Sequence, residues 1–399
     1  MEIVDTILIK MYSVTTPQRK FMLTLFSLLM CLRGRANFRN LSRYSHYNEK
    51  TYSRWYRQYF DFLGFNQMAL SPLFTKEYEL IAATDASFIP KSGEHTYGLG
   101  KFYSGTHGKA EKGLEISTLA IVNVTENTAY NVSTHQTPAV NEDDKTRVDY
   151  YLAHLQRDRH ALPSQVRYLA ADGYYSKKKF IDGVTALGLH QIGKLRHDAN
   201  LRWLYNGEQK PRGRKKLYDG KVNFEDLSRF DVVSGVDEPQ LYTGIVNCAQ
   251  FDRTLRIVYI VEKTGTKVRT ALLFSTDLAQ NAKDIVRLYK SRFQIEFLFR
   301  DAKQFLGLND CQARCSESLD FHFNATMTAL NLLKLEDRQQ HQQDDPSNPH
   351  RVISIASWKA RKFNVHLLER FSSHLGLDFN AIKSRPDFEE LCDYGAIAA

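Results

Sequence analysis

The chain has 399 residues, 43% of them hydrophobic and 25% charged, a balance that excludes wholesale disorder and leaves room for two or three domains. Its 54 Lys and Arg against 45 Asp and Glu give a net charge of +9, a modest tilt toward a polyanionic partner. Five scattered cysteines, Cys31, Cys248, Cys311, Cys315 and Cys392, exclude a disulfide framework and suit a reducing compartment. Cys311, Cys315 and His322 lie close in sequence, but no second ligand pair completes a zinc site.

The first 75 residues read as helical. The apolar run Phe21–Leu32 is too short to span a bilayer, which needs about 20 residues. Arg33-Gly34-Arg35 follows it where a signal peptide would carry its cleavage site, so a buried helix and a soluble cytoplasmic protein are expected. Two short helices are expected next, over Asn37–Tyr44 and from Glu49 to about Phe62, with a break at Ser45–Asn48. Arg39, Arg43, Lys50, Arg54 and Arg57 lie among Tyr47, Tyr52, Trp55 and Tyr56, a pattern suited to a DNA-binding helix-turn-helix. An amphipathic bundle with a solvated basic face explains the same residues.

From Glu79 the period changes. Strands are expected at Leu80–Thr84, Ile116–Val124, Ala129–His135, Val166–Ala171 and Gln191–Leu195, with helices at Lys145–Arg159 and Phe180–Leu187. This order defines an α/β fold with a mixed sheet and flanking helices. Residues 200–275 carry the basic stretch Lys210-Pro211-Arg212-Gly213-Arg214-Lys215-Lys216 and alternating runs at Val232–Val236, Leu241–Val246, Leu255–Val261 and Thr270–Phe274, which read as a β-rich insertion. One helix is expected over Ala282–Leu306, capped by Gly307, and another over Phe321–Leu335. A polar linker at 336–350 and a small mixed tail complete the chain.

Asp85 and Asp172 end the apolar runs at Leu80–Thr84 and Val166–Ala171. Sites gather at the carboxyl ends of parallel strands, although an aspartate there is also a common turn or cap residue. In the helix at 282–306, Tyr289, Arg292, Glu296 and Lys303 fall on one stripe roughly 60° wide at 3.6 residues per turn. A salt bridge between Arg292 and Glu296 accounts for that pair but not for Tyr289 or Lys303.

The spacing Y-x2-R-x3-E-x6-K at Tyr289, Arg292, Glu296 and Lys303 resembles the signature of DDE insertion-sequence transposases of the insertion-sequence-four family. Thr84-Asp85-Ala86-Ser87 with Pro90-Lys91-Ser92-Gly93 resembles that family's first-Asp motif, and Asp172-Gly173-Tyr174-Tyr175-Ser176 its second. The resemblance spans about residues 80–335. It implies an RNase H-like fold whose catalytic residues Asp85, Asp172 and Glu296 bind two Mg2+ (or Mn2+) ions for phosphoryl transfer.

It further implies that Tyr289, Arg292 and Lys303 hold transposon-end DNA, and that an aromatic in the insertion stacks a flipped base. Trp203 is the candidate for that stacking, against the alternative of a packed core residue. Lys210, Arg212, Arg214, Lys215 and Lys216 are candidates to track phosphates, or form a merely solvated loop; Arg54 stands for the N-terminal module. The expected layout is a DNA-binding domain at 1–75, catalytic core at 76–199 and 276–335, insertion at 200–275, and linker and tail at 336–399. The expected function is a prokaryotic, nucleoid-associated DNA transposase acting on double-stranded transposon ends and target, with a homodimer in the synaptic complex and no membrane contact. The rivals are a catalytically inactive, transposase-derived DNA-binding protein and an RNase H-like nuclease.

Overall fold

The computed structural model describes residues 2–139, 145–233, 239–265, 267–344 and 353–396. Five helices come first: α1 (Glu2–Lys10), α2 (Thr16–Cys31), α3 (Phe38–Tyr44), α4 (Glu49–Trp55) and α5 (Phe62–Leu70). Each start from α2 onward has its N-cap: Thr15, Asn37, Asn48 and Asp61 accept backbone N–H groups of the following turn. α4 stops at Trp55, well short of the expected end near Phe62. The buried faces of α1, α2 and α5 share one core with a later helix, α10 (Ser316–Asp344). Residues 1–75 therefore have no core of their own.

The strands follow: β1 (Leu80–Pro90), β2 (Gly100–Ser104), β3 (Lys109–Asn123), β4 (Thr128–Thr137), β5 (Tyr168–Ala170) and β6 (His190–Leu195). Between them lie α6 (Arg147–Asp158) and α7 (Lys178–Ala186). The insertion supplies β7 (Leu201–Leu204), β8 (Tyr218–Lys221), β9 (Asp231–Val232), β10 (Gln240–Cys248), β11 (Arg253–Thr264) and β12 (Lys267–Ser275). Of the run expected at Val232–Val236, residues 234–236 lie outside the described residues. β2, β7 and β8 fall outside the expected strands, because short runs leave little periodic signal.

One mixed sheet runs β3-β1-β5-β6-β12-β11-β10-β7-β8, and β3 also pairs with β2 over Lys109–Gly113 and with β4 over Glu115–Asn123. Only β1–β5 and β5–β6 are parallel. The insertion is thus no separate sheet: it continues the core sheet through the β6–β12 pairing. Alternation splits β1 between two cores. Ile81 and Ala83 face the core shared with α10, and Leu80 and Ala82 face α6 and α7.

The later helices correct three expectations. The single helix over 282–306 is two, α8 (Ala282–Ser291) and α9 (Gln294–Phe305). i→i−3 bonds from the amides of residues 292, 293, 295 and 296 tighten the junction. Gly307 follows α9 at φ +77, where a Cβ would come within 2.5 Å of the Ala36 Cβ, so glycine fits that turn. α10 runs on to Asp344 through the first part of the expected linker. The tail is helical, with α11 (Ile355–His374), α12 (Phe379–Lys383) and α13 (Phe388–Cys392), and α11 packs against α2.

α10 also covers the free edge of β4. Asn331 accepts from the Asn131 amide at 2.8 Å and donates to the Asn131 carbonyl at 2.7 Å. Asn324 does the same for Thr134, at 3.2 and 2.8 Å. Side-chain amides thereby satisfy an edge that would otherwise be open to pairing. Asn331→Ala strands two buried backbone groups, at about 1–3 kcal/mol each. Equilibrium denaturation is expected to show a loss of about 2–5 kcal/mol; an unchanged midpoint would mean that water or a shift of α10 replaces the bonds.

Candidate active site

The last β1–β5 pair is Ala83↔Ala170. Asp85 and Asp172 each stand two residues beyond this last pair, Asp85 within β1 and Asp172 past the end of β5. β1 runs on paired to β3, with Asp85 opposite Thr118. Asp85 therefore lies within its strand rather than at its end; only its parallel partner stops. Asp172 caps a short 3-10 turn and accepts the Tyr174 amide at 2.8 Å.

Glu296 lies in the first turn of α9. The tightened junction sets Arg292 between the carboxylates: its Nη2 donates to Glu296 Oε1 at 2.9 Å, and its Nη1 lies 3.8 Å from Asp85 Oδ2. The Arg292 side chain is only 11% exposed, and its Nε is buried without a partner. The guanidinium also lies 5.7 Å from the Tyr289 ring centre. Lys303, two turns further along α9 from Glu296, donates to the Phe88 carbonyl of β1 at 2.8 Å.

Electrostatics ties the three carboxylates together. Burial and then the Asp172 charge push the Asp85 carboxyl up to about 7, with Glu296 adding to the rise and Arg292 opposing it. The Tyr175 hydroxyl is buried without a partner, and burial, followed by the Asp85 charge, raises it further above the ordinary phenol value. A set of hard oxygen donors whose charges repel one another is the donor chemistry of Mg2+ or Mn2+. By donor type the residues fit such ions, although among the described residues the ligand atoms of these three do not all lie within 4.8 Å of one another.

The shift has a measurable sign. Asp85 moves from an ordinary 3.8 to about 7, so in metal-free protein its favourable contribution is present below about pH 3.8 and is lost as pH rises through about 7. Asp85→Asn mimics the protonated form. In EDTA it is expected to raise the melting temperature at pH 8, by at most about 4 kcal/mol of stability, and to change little at pH 4. An equal effect at both pH values would show that Asp85 is not held protonated.

Other expected contact residues are spread more widely. Trp203 is buried in β7 against Phe230 at 5.0 Å, and the Arg229 guanidinium lies 4.9 Å from its ring centre. Lys210, Arg212, Arg214, Lys215 and Lys216 are exposed in the β7–β8 loop, with Lys216 paired to Asp219 at 2.8 Å. Arg54 is exposed on α4, as are Arg39, Arg43, Lys50 and Arg57 around the α3–α4 break.

Two clefts hold residues that the sequence did not single out. One, of about 550 Å3, lies beside Asp172 and is lined by Gly173, Lys194, Arg196 and His197. The other, of about 420 Å3, lies at the end of β1 and brings Lys91 together with Arg35 and Arg314. Lys91 belongs to the motif around the first Asp. Arg35 and Arg314 meet it only through tertiary packing, which leaves no local signal.

Residues 79–332 match the family described as the transposase DDE domain, and with more than half of its length matched, the chain belongs to that family. No curated protein matches it. Among solved structures it is similar to a chain of a piggyBac transposase synaptic complex with hairpin DNA, at a TM-score of 0.43 and 10% identity. That match covers 79% of this chain and 56% of the other, so this chain spans little more than half the length of that protein. Among the described residues no helix is long and apolar enough to cross a membrane.

Proposed function

We propose that this protein is a DNA transposase that binds the terminal inverted repeats of an insertion sequence, cleaves the ends and transfers the strands to a target. One observation carries the reading: the charges of Asp172, just past the end of β5, and of Glu296 on α9 both act on the buried Asp85 of β1, and Arg292 lies between Asp85 and Glu296. The strand order β4-β3-β1-β5-β6, three antiparallel strands followed by two parallel ones, supports an RNase H-like core. The Y-x2-R-x3-E-x6-K spacing supports placement in the insertion-sequence-four family.

Asp85, Asp172 and Glu296 would hold two Mg2+ or Mn2+ ions. Bound there, the ions supply Lewis-acid activation of the attacking oxygen and neutralise charge on the leaving one. Arg292 turns its fork to the phosphate of the cleaved end once its carboxylate partners carry cations. Tyr289 and Lys303 steady the same strand, and Trp203, stripped of its Arg229 cover, stacks a flipped base. The two basic clefts and the β7–β8 loop bind backbone phosphates, and Arg54 with its neighbours on α3–α4 reads the repeat. Double-stranded ends and target, and a homodimer bridging two ends, are the expected partners of a prokaryotic, nucleoid-associated protein.

The test uses linear DNA carrying the natural flanks of the coding region. With Mg2+, the full chain is expected to break strands at the repeat and to join those ends to a second duplex, and EDTA abolishes both. Binding without breakage would favour a catalytically inactive descendant, and breakage without joining or end preference would favour a nuclease. A further expected result concerns the loop. Changing Lys210, Arg212, Arg214, Lys215 and Lys216 together to Gln should flatten the dependence of log affinity on log salt by about 0.9 for each phosphate no longer neutralised. An unchanged slope would leave the loop as solvated surface.

A further inference from the structure

Away from the carboxylate site, β4 and α6 bring two histidines and an aspartate to one point. His154 and Asp158 sit one turn apart on α6 and face the same way; His135 reaches them from β4. His135 Nε2 lies 2.8 Å and His154 Nε2 3.3 Å from the same oxygen, Asp158 Oδ2. Among the described residues this is the one set of three such side chains whose ligand atoms all lie within 4.8 Å of one another. We propose that His135, His154 and Asp158 form a structural site for a zinc-class transition-metal ion, distinct from the carboxylates that would hold Mg2+ or Mn2+.

The geometry suits the donor set. Ligands about 2.0–2.1 Å from a tetrahedral zinc lie about 3.3 Å from one another, the separation already present between His154 and Asp158. The His135–Asp158 pair must open by about half an ångström, exchanging a hydrogen bond for a shared ion. Two ligands four apart on a helix, with a third from another element, is a known way of building such a site.

The outer atoms are in place as well. His154 Nδ1 pairs with Ser117 Oγ at 2.9 Å, and His135 Nδ1 lies 3.5 Å from Asp320 Oδ1 at the start of α10. These contacts direct both Nε2 atoms at Asp158, as a carboxylate or hydroxyl behind a metal-bound histidine does. The hydrogen bond between Ser133 Oγ and His154 Nε2, at 2.8 Å, breaks when that nitrogen takes the ion, which frees the hydroxyl to hold a fourth ligand or a water. Imidazole donors favour zinc-class ions over Mg2+.

Protons and the ion compete for the same atoms. Burial lowers His154 to about 4, leaving it neutral and ready to bind. Burial also opposes charge on His135, but the contacts to Asp158 and Asp320 outweigh it and raise that group. Against burial, the contacts from His135 and His154 hold Asp158 well below the usual carboxylate range, and its other oxygen meets Arg157 Nε at 3.0 Å. The side chains of His154 and Asp158 are 4% and 3% exposed, and that of His135 is 27% exposed, so entry is past His135. The ion would tie α6 to β4 and, through Asp320, to α10.

The experiment is a Co2+ titration of the full chain, stripped with EDTA and kept in excess Mg2+. One Co2+ per chain is expected, with the strong visible absorption of a tetrahedral site, displaced by Zn2+ and retained in Asp85→Asn and Glu296→Gln proteins. Asp158→Asn and His135→Gln should each weaken it at least tenfold with unchanged far-ultraviolet dichroism. If Asp158→Asn does not fold, the half-buried His135→Gln decides. Absence of the tetrahedral band, or a band unmoved by His135→Gln, would overturn the proposal and leave the three side chains as a hydrogen-bonded cluster.

Discussion

Glu296→Gln in the full chain is expected to lower strand cleavage by about 10^3-fold or more, since losing one ligand from a phosphoryl-transfer clamp forfeits several kcal/mol of barrier lowering. Repeat binding should stay within a few fold. The substitution keeps the side chain's size, and Glu296, 42% exposed with only Arg292 as its ion partner, contributes at most about 1 kcal/mol to the fold. Asp172→Asn should behave alike, because the Tyr174 amide it caps is still met by the amide oxygen. Gel assays of cleavage and binding on one preparation check this. Near-normal cleavage by either variant would remove that residue from the site.

Arg292→Lys carries the second large effect. Arg292 offers two readings, a structural tie between Asp85 and Glu296, or a phosphate grip that rests on them when DNA is absent. A fully exposed pair contributes about 0.3–0.5 kcal/mol, and Arg292, only 11% exposed, would contribute more than that as a tie, whereas charge-assisted bonds to phosphate contribute about 1.5–3 kcal/mol each. Lysine keeps the charge and loses the planar fork. A drop of at least tenfold in cleavage or end-complex affinity is expected, with the melting temperature nearly constant. A clear fall in melting temperature with normal cleavage per folded molecule would make the residue structural.

Much of this arrangement is legible in the chain. The long runs that become β3, β4, β10 and β11 carry extended strand signals, and α6 its helical spacing, so their kind and place follow from pattern alone. Asp85 reads as the end of a strand because its apolar run stops at Thr84. The strand continues because β3 supplies hydrogen bonds through Pro90, a partner no local window contains.

The break at Arg292 is invisible for a related reason. Nothing in Ser291-Arg292-Phe293-Gln294 opposes a helix, and the i→i−3 turn arises where α8 and α9 must both pack on the sheet. The reach of α10 to Asp344 shows the converse: a polar run of Glu, Asp, Arg, Gln and His reads as linker, yet it extends a helix whose preceding turns are buried. The cluster of His135, His154 and Asp158 leaves no motif, since its members come from two elements joined only by folding.

The central claim is that Asp85, Asp172 and Glu296 hold one cluster of divalent cations. Anomalous diffraction at the manganese edge, from crystals of the full chain grown with Mn2+, tests it most directly. Manganese is expected between the three carboxylates, with Arg292 turned away from them and the signal lost in Glu296→Gln. Mn2+-saturated crystals with no anomalous density among those side chains, and Arg292 still bridging Asp85 and Glu296, would contradict it.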